Sequence, residues 1–274
     1  MGIHYVIELS ERIIRIHNMT LSDRQKREVF HLLFLEELLK TSDPKLYVLK
    51  GGVNLRFFFN SPRYSEDMDL DVLAGNVATL KKNGYKILQS AAFSRSLQTY
   101  GIARLEINDP SRAKQTETTQ RFRLRLVTDG AETLPTKVEF SRRPSDRLPC
   151  AIEKIAPEIA RPYQRLAFRC QHYSGEAAAV QKVKALAGRE ITQARDVFDL
   201  GILHAGGYLN SSLLKQFIAG NIIRQARGNV LSIEYRQFSD QVLEFLEQEV
   251  RAEYPKAVWD EMKATVMGIL SHEE

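Results

Sequence analysis

Lys50-Gly51-Gly52 and, after fourteen intervening residues, Asp67-Met68-Asp69-Leu70-Asp71 decide the reading of this sequence. A glycine pair lets the backbone approach a phosphate with no Cβ in the way. Side chains on a strand alternate with period two, so Asp67 and Asp69 share one face while Met68 and Leu70 point to the other, into a core. Converging carboxylates repel unless a cation lies between them. Hard oxygen ligands suit Mg²⁺, which takes a few carboxylates together with substrate phosphates. A glycine turn beside such a pair predicts chemistry on a nucleoside triphosphate. Alternating acids can also protect an exposed edge strand from aggregation, but that accounts for neither the glycines nor the apolar Met68, Leu70 and Val72. Asp71 falls on the face of Asp69, one step further along, either as an outer partner of the site or as a solvated side chain.

Outward from this stretch, Ser22-Asp23-Arg24-Gln25 has capping-box spacing and precedes an amphipathic run with Val29, Phe30, Leu33, Leu38 and Leu39. It predicts a helix over 22–40. A short strand at 46–49 runs into the glycines, a helix follows over 53–59, and Ser61-Pro62 ends it. The carboxylate strand spans 67–73, and 77–99 reads as helical. Strands are predicted at 102–108, 119–128 and 134–141, with a polar hairpin loop over 109–119 between the first two. From about residue 150 the texture turns helical, at 151–159, 174–189, 192–204, 211–220, 231–249 and 255–270. A mixed α/β first half and an all-helical second half predict a division into 1–149 and 150–274.

Two-metal phosphoryl chemistry normally needs a third carboxylate. Glu139 of Lys137-Val138-Glu139-Phe140 is the candidate, on a strand placed beside the Asp67 strand, with Lys137 on the same face. Glu139 then bridges or tunes the metal and helps deprotonate an attacking hydroxyl. A Lys–Glu pair on a solvated sheet face is the other reading. Arg63 and Ser65 precede the aspartates and can hold triphosphate oxygens, although Ser65 can equally bond its own backbone. Asn54 and Arg56 open the helix after the glycines, where a helix N-terminus favours anions. Lys50, Gly51, Gly52, Lys137 and Arg189 complete the candidate nucleotide-binding set. Lys182 and Arg189 are two helical turns apart and share a face. Asp196 and Asp199 are neighbours three apart on the next predicted helix. These four either bind and orient a triphosphate or form a salt bridge pinning two helices.

The formal net charge of +5 and pI near 9.1 suit a polyanionic partner such as RNA. The Arg121/Arg123/Arg125 stripe with Arg142-Arg143 can form an RNA-facing surface, or only the charged side of a half-buried strand. Two cysteines, Cys150 and Cys170, without a CxxC or histidine cluster, read as buried reduced thiols of a cytoplasmic protein rather than a zinc site or disulfide framework. None of the six histidines sits in a ligand or catalytic spacing, and GxSxG and P-loop motifs are absent. Glu8, Glu11 and nearby arginines interrupt any apolar run at the start, so no signal peptide is expected, and no stretch spans a membrane.

Together, Leu49-Lys50-Gly51-Gly52, Arg63-Tyr64-Ser65-Glu66-Asp67-Met68-Asp69, Lys137-Val138-Glu139 and Gln181-Lys182-Val183-Lys184-Ala185-Leu186…Arg189…Arg195-Asp196-Val197-Phe198-Asp199-Leu200 resemble the AbiEii/AbiGii nucleotidyltransferase toxins of type IV toxin–antitoxin systems, a group that includes the MenA-like tRNA-modifying toxins. The order matches over residues 46–203. The first blocks are shared by polymerase-β-like nucleotidyltransferases at large, and the last is more particular to this family. Relative to the superfamily pattern, the glycine-to-aspartate spacing is long and a frequent serine is replaced by Gly52. The resemblance implies an α/β (α+β) polymerase-β-like core with a mixed sheet, then an all-helical C-terminal domain, with Mg²⁺ and a nucleoside triphosphate in the cleft between. It implies Asp67 and Asp69 as metal ligands, Lys182 as a triphosphate contact, and an acid of the Asp196–Asp199 block completing the site. The expected activity is transfer of a nucleoside monophosphate onto an RNA acceptor, first of all the tRNA 3′ end, which blocks translation until a cognate antitoxin intervenes. Transfer to a protein or to a small molecule such as an aminoglycoside, and a degenerate binding module, are the alternatives.

Overall fold

The computed structural model describes residues 21–108, 116–142 and 148–271. Helix α1 (Asp23–Thr41) opens with the predicted capping box: the Ser22 hydroxyl accepts from the Gln25 amide at 3.3 Å and the Gln25 side chain accepts from the Ser22 amide at 2.9 Å. Residues 28–35 are all buried, so this helix is enclosed nearly all round rather than along one stripe. After it come β1 (Tyr47–Lys50), α2 (Gly51–Phe58) and β2 (Asp67–Val72). The predicted helix over 77–99 is two, α3 (Val77–Leu88) and α4 (Ala91–Gln98), because Ser90 caps a new start by accepting from the Phe93 amide.

Strands β3 (Ile102–Ile107), β4 (Thr119–Thr128) and β5 (Thr133–Ser141) lie where the alternating patterns put them. The predicted helix over 151–159 is instead largely strand β6 (Cys150–Lys154), and β7 (Arg169–Tyr173), not anticipated at all, pairs with it. Cys-Ala-Ile-Glu-Lys favours helix locally, but pairing with β7 overrides that preference. The sheet therefore takes in residues on both sides of the division expected after residue 149. Its order is β3-β4-β5-β2-β1-β7-β6, with β2/β5 and β1/β7 parallel and the rest antiparallel. Helical structure takes over from α6 (Gly175–Gly188), after the single turn α5 (Pro157–Ala160).

Helices α7 (Ala194–Ala205), α8 (Ser211–Phe217), α9 (Gly220–Leu231), α10 (Tyr235–Gln241), α11 (Gln248–Arg251) and α12 (Lys256–Ile269) follow. The single long helix expected over 231–249 is corrected: α9 ends at Leu231, and Glu234 with Gln237 forms a capping box that starts α10. One apolar core lies between the sheet and α1, α3 and α4, built from residues such as Phe30, Phe34, Met68, Leu70 and Phe140. A second fills the helical part around Phe198, Phe238 and Trp259, and reaches α2 through Leu55. Cys150 is exposed and Cys170 is buried, so the expectation of two buried thiols fits Cys170 alone, whose thiol burial pushes up to about 12. The predicted loop residues 109–115, Arg143, and His4, His17 and His272 lie outside the described residues, as does the N-terminal stretch read for a signal peptide. No helix among the described residues is long and apolar enough to cross a membrane.

Candidate active site

Strand register assembles the floor of the site. Lys50 of β1 stands opposite Asp69 of β2, Asp69 opposite Glu139 of β5, and Glu139 opposite Arg121 of β4. Four strands thus present one row, cation–anion–anion–cation, across the middle of the sheet. The adjoining row is Asp67, Lys137 and Arg123. Because the period is two, all these side chains share a face, and Met68, Leu70, Val138 and Phe140 fill the core beneath with no exposed surface.

Within the rows the charges are partly paired. Lys137 Nζ lies 2.9 Å from Asp67 Oδ2, and Arg121 Nε donates to Glu139 Oε2 at 2.6 Å. Lys50 turns to Asp71, 2.5 Å away, and Asp71 also accepts from the Tyr173 hydroxyl at 2.7 Å. Asp71 is therefore neither solvated nor idle; it positions Lys50. Asp69 differs from its neighbours: its carboxylate has no hydrogen bond or ion pair among the described residues. Burial pushes its carboxyl above the ordinary range, Lys137 and Lys50 pull it back, and Glu139 and Asp67 add to the rise. A desolvated carboxylate without a direct counter-ion, two residues from a second one, fits a hard divalent cation. Asp67, Asp69 and Glu139 line one cavity, yet among the described residues no three acidic, histidine or cysteine side chains gather as a ready metal cage. Lys137 and Arg121 engage the other two carboxylates, Asp67 and Glu139.

The glycines work by close approach. Gly51 has φ +70°, and a Cβ there would sit 3.1 Å from Asp69 Oδ2. A Cβ on Gly52 would meet Ser65 Oγ at 2.7 Å and Arg63 Nη2 at 3.2 Å. The N-terminus of α2 is thereby pressed against the carboxylate strand and the loop before it. Ser65 donates to the Asp67 carbonyl at 2.9 Å, the backbone-bonding alternative of the sequence reading, while still facing the cavity.

The opposite wall comes from α6 and α7. Lys182 Nζ bridges Asp196 at 3.0 Å and Asp199 at 2.6 Å, and Arg189 Nε donates to Asp196 at 2.7 Å. Both acids are fully buried. Asp199 also accepts a two-pronged contact from Arg63 Nη2, at 2.9 and 3.1 Å, and a third from Nε at 3.2 Å. Burial pushes the Asp199 carboxyl up, but Arg63 and Lys182 outweigh it and hold the group below the ordinary carboxylate range. Arg63 is thus fastened to Asp199 while its edge lines the cavity.

Floor, glycine turn and wall enclose a cavity of about 490 Å³, a normal size for a small-molecule site. The metal, catalytic and nucleotide-binding candidates all line it except Asp199, which lies behind the wall. Asn54 is buried against Tyr173 and His172 and Arg56 pairs with Glu28, so the helix-start pair does not reach it. The sequence reading missed Arg121 as a site residue, along with Ser141, Gln181 and Arg195. Period two from Glu139 pointed to Ser141, and the helical stripe through Lys182, Ala185 and Arg189 pointed to Gln181. Arg121 reads from the sequence only as part of the RNA-facing stripe with Arg123 and Arg125, and Arg195 only as a member of the Arg195-Asp196 block. The lining sets seven basic side chains against four carboxylates, a balance that suits a polyphosphate carrying its own metal rather than a cationic ligand.

A family model described as "Nucleotidyl transferase AbiEii toxin, Type IV TA system" matches residues 33–273. Among solved structures, the nucleotidyltransferase toxin MenT4 from Mycobacterium tuberculosis H37Rv superposes with a TM-score of 0.56 at 15% identity, covering 96% of this chain and 90% of that one. JHP933 from Helicobacter pylori superposes with a TM-score of 0.52 at 18% identity, covering 91% of this chain and 94% of that one. At those identities the likeness is one of fold. No curated protein matches the sequence.

Proposed function

We propose that this chain, which belongs to the AbiEii family of nucleotidyltransferase toxins of type IV toxin–antitoxin systems, moves a nucleoside monophosphate from a triphosphate onto an RNA hydroxyl, first of all the tRNA 3′ end. Membership makes it a nucleotidyltransferase with an antitoxin counterpart. The observation that carries the finer reading is the Asp69–Glu139 row facing the Lys182–Arg189 wall across one cavity.

In this account Asp67, Asp69 and Glu139 would hold Mg²⁺, which would supply neutralisation of the phosphate charge during transfer. Lys50, Lys182 and Arg189 receive the triphosphate, with Arg63, Ser65, Lys137 and the turn at Gly51-Gly52 around it. Asp196 and Asp199 fix the Lys182 ammonium, so they act as positioning residues. The acceptor oxygen forms a bond to the α-phosphorus as the bond from that phosphorus to the β-phosphate oxygen breaks. Pyrophosphate leaves, and the acceptor proton passes to Glu139. Blocked tRNA ends would halt translation and growth in the cytoplasm, and the cognate antitoxin would restrain this.

A cationic acceptor such as an aminoglycoside is disfavoured by the basic lining. Expression in cells separates enzyme from binding module. Growth arrest by the unmutated chain, abolished by Asp67→Ala and by Asp69→Ala at equal protein levels, is the expected result. Equal arrest by both variants would exclude catalysis as its cause.

A further inference from the structure

Beside the main cavity, and sharing Asp67 and Lys137 with it, lies a second groove of about 300 Å³ on the same sheet face. Its walls include Arg123, Arg125, Asn108 and Pro135. The arginines follow Arg121 in steps of two along β4, so the stripe starts in the catalytic row and runs out of it. Arg121 stands opposite Glu139, Arg123 opposite Lys137, and Arg125 opposite Pro135. Each step advances roughly 7 Å along an antiparallel strand, comparable with the distance between successive phosphates of an extended single strand.

The three arginines are employed differently. Arg121 is held by Glu139. Arg123 is exposed, and its guanidinium has no hydrogen-bond or ion partner among the described residues. Arg125 is mostly exposed and lies only at the 4.0 Å limit from Glu106, a contact that contributes little in water. Against the carboxylates of Glu66 and Asp67, the groove carries the charges of Lys137, Arg123 and Arg125. Fixed cations at regular spacing along one strand suit a phosphate backbone rather than a folded protein surface.

We infer that this groove seats the acceptor strand: the 3′-terminal hydroxyl lies at its Asp67 end, directed toward Glu139 in the next row, and the next two phosphates inward contact Arg123 and then Arg125. This rests on the nucleotidyl transfer reading for the role of the groove, and it adds the path and direction of the RNA. Such contacts are independent of sequence, so choice of acceptor would come from its free, unpaired end.

The test uses the full chain carrying Asp69→Asn, which binds without turnover, and a fluorescent twelve-nucleotide single-stranded RNA read by anisotropy. Adding Arg123→Gln and Arg125→Gln together is expected to weaken binding at least tenfold. It should also lower the slope of log affinity against log salt by about 1.4, at about 0.7 per lost phosphate contact. An oligonucleotide ending in a 3′-phosphate should bind less tightly than one ending in a hydroxyl. Equal affinity and slope in the arginine variant, or no RNA binding without those substitutions, overturns the inference. In the Asp69-containing protein, the same two substitutions should raise the KM for RNA and leave the KM for the nucleotide unchanged. RNA labelling that proceeds normally in the arginine variant at subsaturating RNA would sink the groove assignment and leave nucleotidyl transfer standing. RNA binding through both arginines without transfer of any nucleotide would do the reverse.

Discussion

Asp199 and Arg63 stand 136 residues apart in the chain, yet Asp199 accepts three hydrogen bonds from the Arg63 guanidinium at 2.9–3.2 Å in a buried setting. This contact, with Lys182 on the other side of Asp199, joins the loop before β2 to the first helices of the helical part. Removing the acid leaves the buried Arg63 guanidinium without a counter-ion and Lys182 with Asp196 alone. Asp199→Ala is predicted to destabilise the protein by about 3–5 kcal/mol, read by urea unfolding. Asp199 is held below its ordinary pKa. Its stabilising contribution is therefore full above about pH 3.9, the unfolded value, and is lost as pH falls through the lower folded value. A wild-type-like midpoint in the variant would mean the contact pins nothing.

His31 on α1 reaches the start of β2 indirectly. The Thr136 hydroxyl donates to the Glu66 carbonyl, just before Asp67, which leaves the Thr136 oxygen to accept from His31 Nε2–H at 3.0 Å. Burial, with the Arg27 charge adding to it, lowers the His31 pKa to about 3. The sign follows from proton binding: between pH 6.5 and about 3 the unfolded chain takes up a proton that the folded chain refuses. Stability must fall as pH falls through that window, by about 1.4 kcal/mol per unit, or roughly 2 kcal/mol by pH 5. His31→Gln should flatten the difference in unfolding free energy between pH 6.5 and pH 5. An equally steep profile in that variant would assign the effect to other groups.

Gly52 and Ser65 are in contact by necessity, since an added Cβ would lie 2.7 Å from the hydroxyl and 3.1 Å from the serine Cβ. Gly52→Ala is predicted to cost about 1–3 kcal/mol. Ser65→Gly should recover at least 1 kcal/mol of that in the double variant, a coupling measured by a double-mutant cycle. Strict additivity would show that the turn relaxes elsewhere.

Much of this was legible because periodicity two is unforgiving. Asp67, Asp69, Lys137 and Glu139 alternate with residues buried completely, so their shared face followed from the sequence and the register only had to align them. The capping box at Ser22 and the strands over 102–141 were readable for the same local reason. Strands β6 and β7 were not: Cys150–Lys154 is a short edge strand with four of its five residues exposed, so it carries no burial pattern. The duties of the basic residues were also hidden. Nothing local says that Arg63 answers Asp199 or that Lys50 turns to Asp71, because those pairs form only when distant elements meet.

The central claim is that the Asp69 row transfers nucleotide to RNA, and transfer of label tests it most directly. Total cellular RNA is incubated with Mg²⁺ and each of four α-labelled nucleoside triphosphates, using the unmutated chain and Asp69→Ala. The account predicts a labelled tRNA-sized band with at least one nucleotide, reduced at least a hundredfold by Asp69→Ala and absent when EDTA replaces Mg²⁺. No label on any RNA, or equal label from the Asp69→Ala protein, would contradict it.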